Sequence, residues 1–212
     1  MAGGTELARS HGHSSVADGI FWTKSRLLIG ARLLRNAGKG EPLRPLRRLR
    51  ALPAGATLLA EDETRLYSVV DPREQELELG KVQNLRIAAA ATDGVLLEPG
   101  ETFSFWRTLG RPTRAKGYVR GRELRQGCMI PTIAGGICQL SRALSRVAER
   151  SGMDIVERHR HTAAPPEAAL DDPADSTVFW NYVDLRFRAP CRVRVGALLT
   201  QSALIVRLDA LP

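Results

Sequence analysis

Residues 134–141 read Ala-Gly-Gly-Ile-Cys-Gln-Leu-Ser, and this stretch decides how the surrounding chain folds. Apolar residues follow it at helical spacing, so the sequence predicts a helix from Cys138 to a C-cap at Gly152. Gly135 and Gly136 permit backbone angles that are closed to other residues. A thiol in the first turn of a helix lies beside unpaired N–H groups and the positive end of the helix dipole, which favour a thiolate. The same pattern also suits a small buried hydrophobe.

Two histidines follow this helix in the stretch Asp-Ile-Val-Glu-Arg-His-Arg-His at 154–161. The run predicts a short strand, and residues two apart on a strand point to one face, which would place Glu157, His159 and His161 together. Cysteine becomes a nucleophile at neutral pH when an imidazole takes the proton of its thiol. The sequence therefore favours the chemistry of a Cys/His pair.

Several short motifs surround these residues. They are Gly-Glu-Thr-Phe-Ser-Phe-Trp at 100–106, Lys-Gly-Tyr at 116–118, Gly-Gly-Ile-Cys-Gln-Leu-Ser at 135–141, Glu-Arg-His-Arg-His at 157–161, Asp-Ser-Thr-Val at 175–178 and Asp-Leu-Arg-Phe at 184–187. In this order, across residues 66–208, the chain resembles the VanW family. One departure is Ala134, where the family usually carries a third glycine, so we expect a slightly stiffer loop before Cys138.

The resemblance implies an activity as well as a fold. Some VanW domains resemble L,D-transpeptidases, which remodel peptidoglycan cross-links, with the cysteine of Gly-Gly-x-Cys-Gln as nucleophile. Carried over, that role falls on Cys138, with His161 as the base and His159 as the other candidate. The residues expected at the substrate are Gly135, Gly136, Gln139, Ser141, Trp106 and Tyr118. The resemblance thus implies a cysteine-dependent acyl transferase for peptidoglycan stem peptides or their precursors, with a link to glycopeptide resistance.

A Cys/His pair usually needs a third group to orient its imidazole, and three residues are candidates. Asp175 and Asp184 match the family motifs, and Asn181 lies among apolar neighbours in a strand predicted at 177–188. The aspartates are equally compatible with capping a turn and solvating a strand. A helix-borne cysteine, a strand-borne histidine and a later acid or amide also follow the order of papain-like thiol peptidases.

The pattern of elements predicts an α+β fold in which the Cys138 helix packs on an antiparallel sheet. A second helical face is expected from Val82 through Leu85 and Ala89 to Thr92, before a stop at Asp93-Gly94. The strands expected are a hairpin at 95–106 and a meander of 177–188, 192–199 and 203–208. The VanW-like domain is assigned to 66–212 and a basic, mostly irregular or helical, partly disordered extension to 1–65.

Basic residues concentrate in 24–50, which holds nine Lys or Arg and one acid, matching the net charge of +8 of the whole chain. Such a stretch favours an anionic membrane surface as partner, and the absence of interleaved aromatic residues argues against nucleic acid. The apolar run from Leu27 to Leu34 is interrupted by Arg32 and is far shorter than the roughly 20 residues of a membrane span. A cytoplasmic protein with peripheral membrane association is therefore expected.

Two other functions fit the same residues. One is a non-catalytic module that binds cell-wall precursor or glycopeptide. Its contact surface would be Trp106, Trp180 and Tyr118. The other is a zinc site without an evident fourth ligand. Its ligands would be Cys138, His159 and His161. No cofactor is predicted, and Cys128 and Cys191 are interpreted as inert, since nothing in their spacing indicates a disulfide framework or a metal site.

Overall fold

The computed structural model describes the greater part of this chain of 212 residues. The described residues are 23–24, 26–32, 34, 46–68, 71–125, 128–161, 174–180 and 182–212. The chain divides into two compact units, Met1–Pro42 and Leu43–Pro212. In the first unit the described residues are helical. The candidate Asn181 and part of the basic stretch 24–50 lie outside the described residues.

The second unit alternates short strands with helices. Its strands are β1 (Arg47–Arg48), β2 (Thr57–Arg65), β3 (Val95–Leu97), β4 (Thr102–Ser104), β5 (Arg120–Arg125), β6 (Cys128–Ile133), β7 (Asp154–Glu157), β8 (Arg186–Arg188), β9 (Val193–Leu199) and β10 (Ala203–Ala210). Its α-helices are α1 (Gln75–Thr92), α2 (Phe105–Leu109) and α3 (Cys138–Arg150), with 3-10 turns at Pro72–Glu74 and Arg114–Lys116. Helices combined with antiparallel sheets confirm the α+β class.

A five-stranded antiparallel sheet in the order β1-β3-β9-β10-β2 supports the site. The hairpin of β9 and β10 is closed by Thr200, whose N–H donates to the Ala203 carbonyl at 2.9 Å. β10 then pairs along its other edge with β2, from Ala203 opposite Arg65 to Ala210 opposite Thr57. The end of β2 is thereby fixed beside the β9–β10 turn.

Helices α1 and α3 contact this sheet, α1 against β9 and α3 against β2 and β10. The predicted face of α1 is confirmed, since Val82, Leu85, Ala89 and Thr92 are all buried. On α3 the large apolar side chains Leu140, Leu144 and Val147 are fully buried. Burial of each contributes about 1.5–3 kcal/mol to folding, so these side chains hold α3 against the sheet.

A second, three-stranded sheet has the order β4-β8-β7, and β5 pairs with β6 as a separate hairpin. In the second sheet the Phe103 and Phe187 rings stack with their centroids 4.7 Å apart. Ile155 of β7 lies opposite Phe187 on the next strand. This apolar contact places the chain that leaves β7, which carries both histidines, beside α3.

Two strand predictions are wrong. Residues 95–106 do not form a hairpin, because β3 pairs with β9 while β4 pairs with β8. After β4 the chain turns into α2, whose N-cap Ser104 accepts a hydrogen bond from the Arg107 N–H. The meander is also wrong, because only Arg186–Arg188 of 177–188 is a strand and it joins the second sheet, whereas β9 and β10 lie in the first.

The assignment of all residues up to 65 to an extension also needs correction. β1 and β2 fall within 1–65, yet both are strands of the five-stranded sheet. Arg47 pairs with Glu98 and Glu101, and the Leu49 N–H donates to the Gly94 carbonyl at 2.7 Å. The fold therefore includes residues that precede 66. Within the described ranges, no helix is long and apolar enough to cross a membrane.

Candidate active site

The turn before Cys138 is shaped by close contacts between backbones. A side chain on Gly135 would collide with the Gly121 carbonyl, and one on Gly136 would collide with the aliphatic stem of Lys81. The buried Asn84 amide donates to the carbonyls of Gly135 and Val119, both at 3.0 Å. Gly135 and Gly136, which the sequence predicts at the substrate, therefore act at least in positioning the turn.

Cys138 is the first residue of α3, as its motif predicts, and its side chain is partly exposed. The Sγ atom lies 3.8 Å from Thr177 Oγ1 and 3.8 Å from the Val178 carbonyl oxygen. The His161 side chain also interacts with the thiol, and this interaction raises the pKa of His161 above its ordinary value although burial acts in the opposite direction. Cysteine and histidine are thus brought together.

His161 is held by Asp175. Its Nδ1 atom lies 2.9 Å and 3.0 Å from the two carboxylate oxygens, and its backbone N–H donates to Oδ2 at 2.8 Å. Burial would raise the pKa of Asp175, but the hydrogen bonds from the His161 backbone and ring, with the charge of Arg142, hold that pKa below its ordinary value. With Nδ1 engaged, Nε2 is the ring nitrogen left for the thiol.

This order of thiol, imidazole and carboxylate can carry out nucleophilic chemistry. The imidazole can accept the thiol proton, while the carboxylate fixes the ring orientation and stabilises the imidazolium. Of the candidates for the third position, the structure brings Asp175 to the histidine. Its side chain is 16% exposed, so the ion pair with His161 is shielded from much of the solvent.

Two residues that sequence reasoning missed connect α3 with the segment that carries Asp175. Arg142, which lies one turn after Cys138 on α3, donates to Asp175 Oδ1 at 2.9 Å. Ser176 pairs with Ser141 through hydroxyl groups 2.7 Å apart, and both are fully buried. Ser141 thus holds the site together from the core rather than contacting substrate. The signal that could have identified Arg142 is its position four residues after the cysteine, because side chains at that spacing are neighbours on a helix.

Asp184 lies elsewhere in the fold. It is 4% exposed and accepts hydrogen bonds from Ser104 Oγ at 2.6 Å and from the Trp106 N–H at 3.1 Å. These contacts hold the first turn of α2. Asp184 therefore caps α2, and none of these contacts brings it to His161, unlike Asp175.

The predicted aromatic contact surface is also not formed. Trp106 is 4% exposed, its indole N–H donates to the Val183 carbonyl at 2.7 Å, and its ring meets Trp180 edge to face. Tyr118 is 2% exposed, and burial raises the pKa of Tyr118 to about 12. Trp106 and Tyr118 belong to the core, so neither is available to bind a ligand at the surface.

The two histidines do not share a face, because β7 ends at Glu157 and the chain beyond it is not a strand. His159 is 47% exposed and its Nε2 lies 3.2 Å from a Glu157 oxygen. The zinc alternative is not supported, since in the described ranges no three His, Cys, Asp or Glu residues form a metal-binding group. Cys191 is exposed, and the Cys128 side chain lies outside the described part of the chain.

Gln139 links the helix to the five-stranded sheet. Its Nε2 donates to Thr64 Oγ1 at 3.0 Å and to the Arg65 carbonyl at 2.8 Å, both at the end of β2. Its backbone N–H donates to the Gly136 carbonyl at 3.1 Å. Among the described residues we find no acceptor for the Cys138 N–H, which leaves a backbone donor beside the thiol.

A family model described as "VanW like protein" matches residues 80–208. The chain is 30% identical over 153 residues to the vancomycin B-type resistance protein VanW of Enterococcus faecalis, covering 70% of this chain and 56% of that protein. It is 37% identical over 105 residues to the uncharacterized protein YoaR of Bacillus subtilis, covering 50% of this chain and 34% of YoaR. The chain thus spans a third to somewhat over half of these relatives. No solved structure matches it.

Proposed function

We propose that this chain, which belongs to the VanW family, is a cysteine-dependent acyl transferase of the L,D-transpeptidase kind that acts on peptidoglycan stem peptides or their precursors. The observation that carries the proposal is the His161 ring, which contacts the Cys138 thiol while both oxygens of Asp175 hold its Nδ1 atom. The relative from Enterococcus faecalis is named for vancomycin resistance, which supports a substrate in the cell wall.

The first half of the reaction forms a thioester. The Cys138 thiol gives its proton to His161 Nε2, and the sulfur attacks the carbonyl carbon of a peptide bond in the stem. The tetrahedral intermediate collapses as the C–N bond breaks, and the imidazolium returns the proton to the departing amine. Asp175 keeps Nδ1 protonated throughout, so the ring presents Nε2 to both groups.

The second half transfers the acyl group. An amine of another stem, or water, attacks the thioester carbonyl while His161 removes its proton. The C–S bond breaks, and the proton passes to the sulfur, which restores the Cys138 thiol. In both halves the Cys138 N–H, at the positive end of the α3 dipole, stabilises the negative oxygen.

Intact-mass spectrometry after incubation with muropeptides or lipid-linked precursors tests this function. We expect an acyl adduct on the wild-type protein that localises to Cys138. Cys138→Ala should abolish both adduct and turnover, whereas Cys191→Ser, at the exposed thiol, should change neither. A wild-type protein that stays unmodified in every donor mixture would support the non-catalytic binding module instead.

We further propose that the basic stretch 24–50 attaches the protein to anionic lipid at the cytoplasmic face of the membrane, where precursors are made. At the end of this stretch, Arg47 pairs with Glu98 and Glu101, and Arg48 donates to backbone carbonyls. Co-sedimentation with phosphatidylserine vesicles should weaken as salt rises. Equal binding to phosphatidylcholine vesicles would contradict an electrostatic attachment.

A further inference from the structure

A groove of about 550 Å³ opens between the middle of α1, the end of β2 and the β9–β10 turn. Its lining residues are Leu66, Tyr67, Val82, Arg86, Leu199, Thr200 and Gln201. Leu66 and Val82 are almost fully buried and form an apolar floor, while 48% of Tyr67 is exposed. A groove with an apolar floor and a few polar groups at its rim is a typical ligand-binding surface.

The groove is joined to the nucleophile by direct contacts. Gln139, the residue after Cys138, donates to the Arg65 carbonyl, and Leu66 is the next residue of that strand end. The Leu66 N–H in turn donates to the Ser202 carbonyl at 2.8 Å. The wall of the groove is therefore tied to the first turn of α3 on one side and to the β9–β10 turn on the other.

Helix α1 also runs from the turn before Cys138 to the groove. Lys81 packs against Gly136, two residues before Cys138, and Arg86 lies five residues further along the same helix. Five residues of α-helix rise about 7.5 Å along the axis and turn the side chain by about 140°, so Arg86 lies further along α1 than Lys81 and on a different face.

Arg86 is the charged group of the groove. Its guanidinium donates to Gln83 on its own helix at 2.9 Å, and within the described residues it forms no ion pair with an acid. A guanidinium offers five donors that match the two oxygens of a carboxylate. Because Arg86 keeps donors and its full charge available beside an apolar floor, the groove is complementary to a peptide that carries a carboxylate.

We propose that this groove is the acyl-donor subsite, in which an extended stem peptide places a carboxylate on Arg86 while one of its carbonyl groups reaches Cys138. The inference rests on the proposed function, because it takes the donor to be a peptide. It adds that the donor must carry a carboxylate away from the reacting bond. Amidation of that carboxylate removes its charge and one acceptor oxygen. The groove should therefore distinguish acid donors from amidated donors.

Calorimetric binding of two synthetic stem peptides to full-length Cys138→Ala protein tests the subsite. One peptide keeps the carboxylate and the other carries it as an amide. We expect the acid to bind about fivefold or more tightly than the amide, and Arg86→Gln to remove that difference while leaving amide binding unchanged. The matched control is Arg111→Gln, an exposed arginine outside the groove, which should leave both affinities unaltered.

The outcomes separate this subsite from the proposed function. Equal affinities for acid and amide, a loss shared by both peptides in Arg86→Gln, or no binding of either peptide would each overturn the subsite. An adduct on wild-type Cys138 under those conditions would leave the acyl transferase standing. Arg86-dependent binding of the acid without any adduct on the wild-type protein would instead retain the subsite and remove the enzyme.

Discussion

Both carboxylate oxygens of Asp175 lie within 3.0 Å of His161 Nδ1, and one of them also accepts the His161 backbone N–H. A single carboxylate therefore fixes the position and the ring of the same residue. This arrangement leaves the imidazole little freedom to rotate away from Cys138. Its consequences can be measured by titration, alkylation and unfolding.

NMR titration of His161 should give a pKa above its ordinary value of 6.5, because contact with Cys138 and the charge of Asp175 favour the imidazolium. Cys138→Ala and Asp175→Asn should each lower it. The stability due to the raised pKa is complete below about pH 6.5 and is lost as pH rises through the folded value. The stability that comes from the lowered pKa of Asp175 is present above about pH 3.8 and is lost as pH falls through the folded value.

Asp175→Asn should therefore reduce the free energy of unfolding most between about pH 4 and 6.5, by about 1.5 kcal/mol. The loss should shrink by pH 9. Urea unfolding at three pH values checks this sign. A loss that is constant across the range would mean that the pair is not charged in the folded protein.

Alkylation by iodoacetamide should separate the two histidines. We expect His161→Ala to slow labelling of Cys138 about tenfold or more, because the thiol loses its hydrogen-bonding base. His159→Ala should have little effect, since that ring is 47% exposed and pairs with Glu157. Labelling of Cys191 in the same samples serves as the internal control. A stronger effect of His159→Ala would transfer the role to His159.

The two aspartates should give opposite phenotypes. Asp184→Ala removes the acceptor for Ser104 Oγ and the Trp106 N–H, so we expect a loss of about 2 kcal/mol in unfolding free energy. Labelling of Cys138 in the folded protein should remain near the wild-type rate. Asp175→Ala should slow that labelling and cost less stability. Slow labelling in both variants would show that α2 is coupled to the site.

The turn before Cys138 should tolerate change unequally. Gly135→Ala forces a methyl group against the Gly121 backbone and should cost about 3 kcal/mol. Ala134→Gly removes the strain of a left-handed backbone with φ of 65°, which is a gain of about 1–2 kcal/mol. It also loses a buried methyl group and increases the conformational entropy of the unfolded chain, and both of these changes reduce stability. These terms nearly cancel, so its stability should stay within about 0.5 kcal/mol of wild type. Chemical denaturation measures both variants.

Truncation should locate the true start of the fold. Removal of residues 1–45 should shift the Tm by less than about 2 °C, whereas removal of 1–55 should lower it by about 6 °C. The second deletion takes away β1 and Leu49, whose carbonyl accepts from the nearly buried Arg194 at 2.8 Å. Differential scanning calorimetry of both proteins checks this. Equal Tm values would mean that β1 contributes nothing.

The sequence alone was sufficient to predict the helix that carries Cys138 and to select this cysteine as the candidate nucleophile. Gly135, Gly136 and the apolar spacing of α3 are local signals, and the structure places Cys138 at the first position of that helix. The family motif likewise pointed to His161. Local patterns carry this information because a helix is determined mainly by residues three and four apart.

Pairings between distant segments could not be predicted in the same way. The run to His161 was expected to continue as a strand, but its backbone N–H donates to Asp175, and the His159 carbonyl accepts from Thr177. Those partners lie beyond the reach of a periodicity argument. Trp106 and Tyr118 were misassigned for a related reason, since an aromatic residue suits a core and a binding surface equally well.

The contact between Gly121 and Gly135 links two parts of the chain that no short motif spans. Because each glycine occupies the space that a side chain on the other would need, neither position can acquire even a methyl group while its partner stays in place. Descendants of this sequence should therefore keep glycine at 121 as strictly as in the cysteine motif itself, although residue 121 takes no part in the chemistry. Loss of that distant glycine would mark a lineage in which the nucleophile turn has been rebuilt.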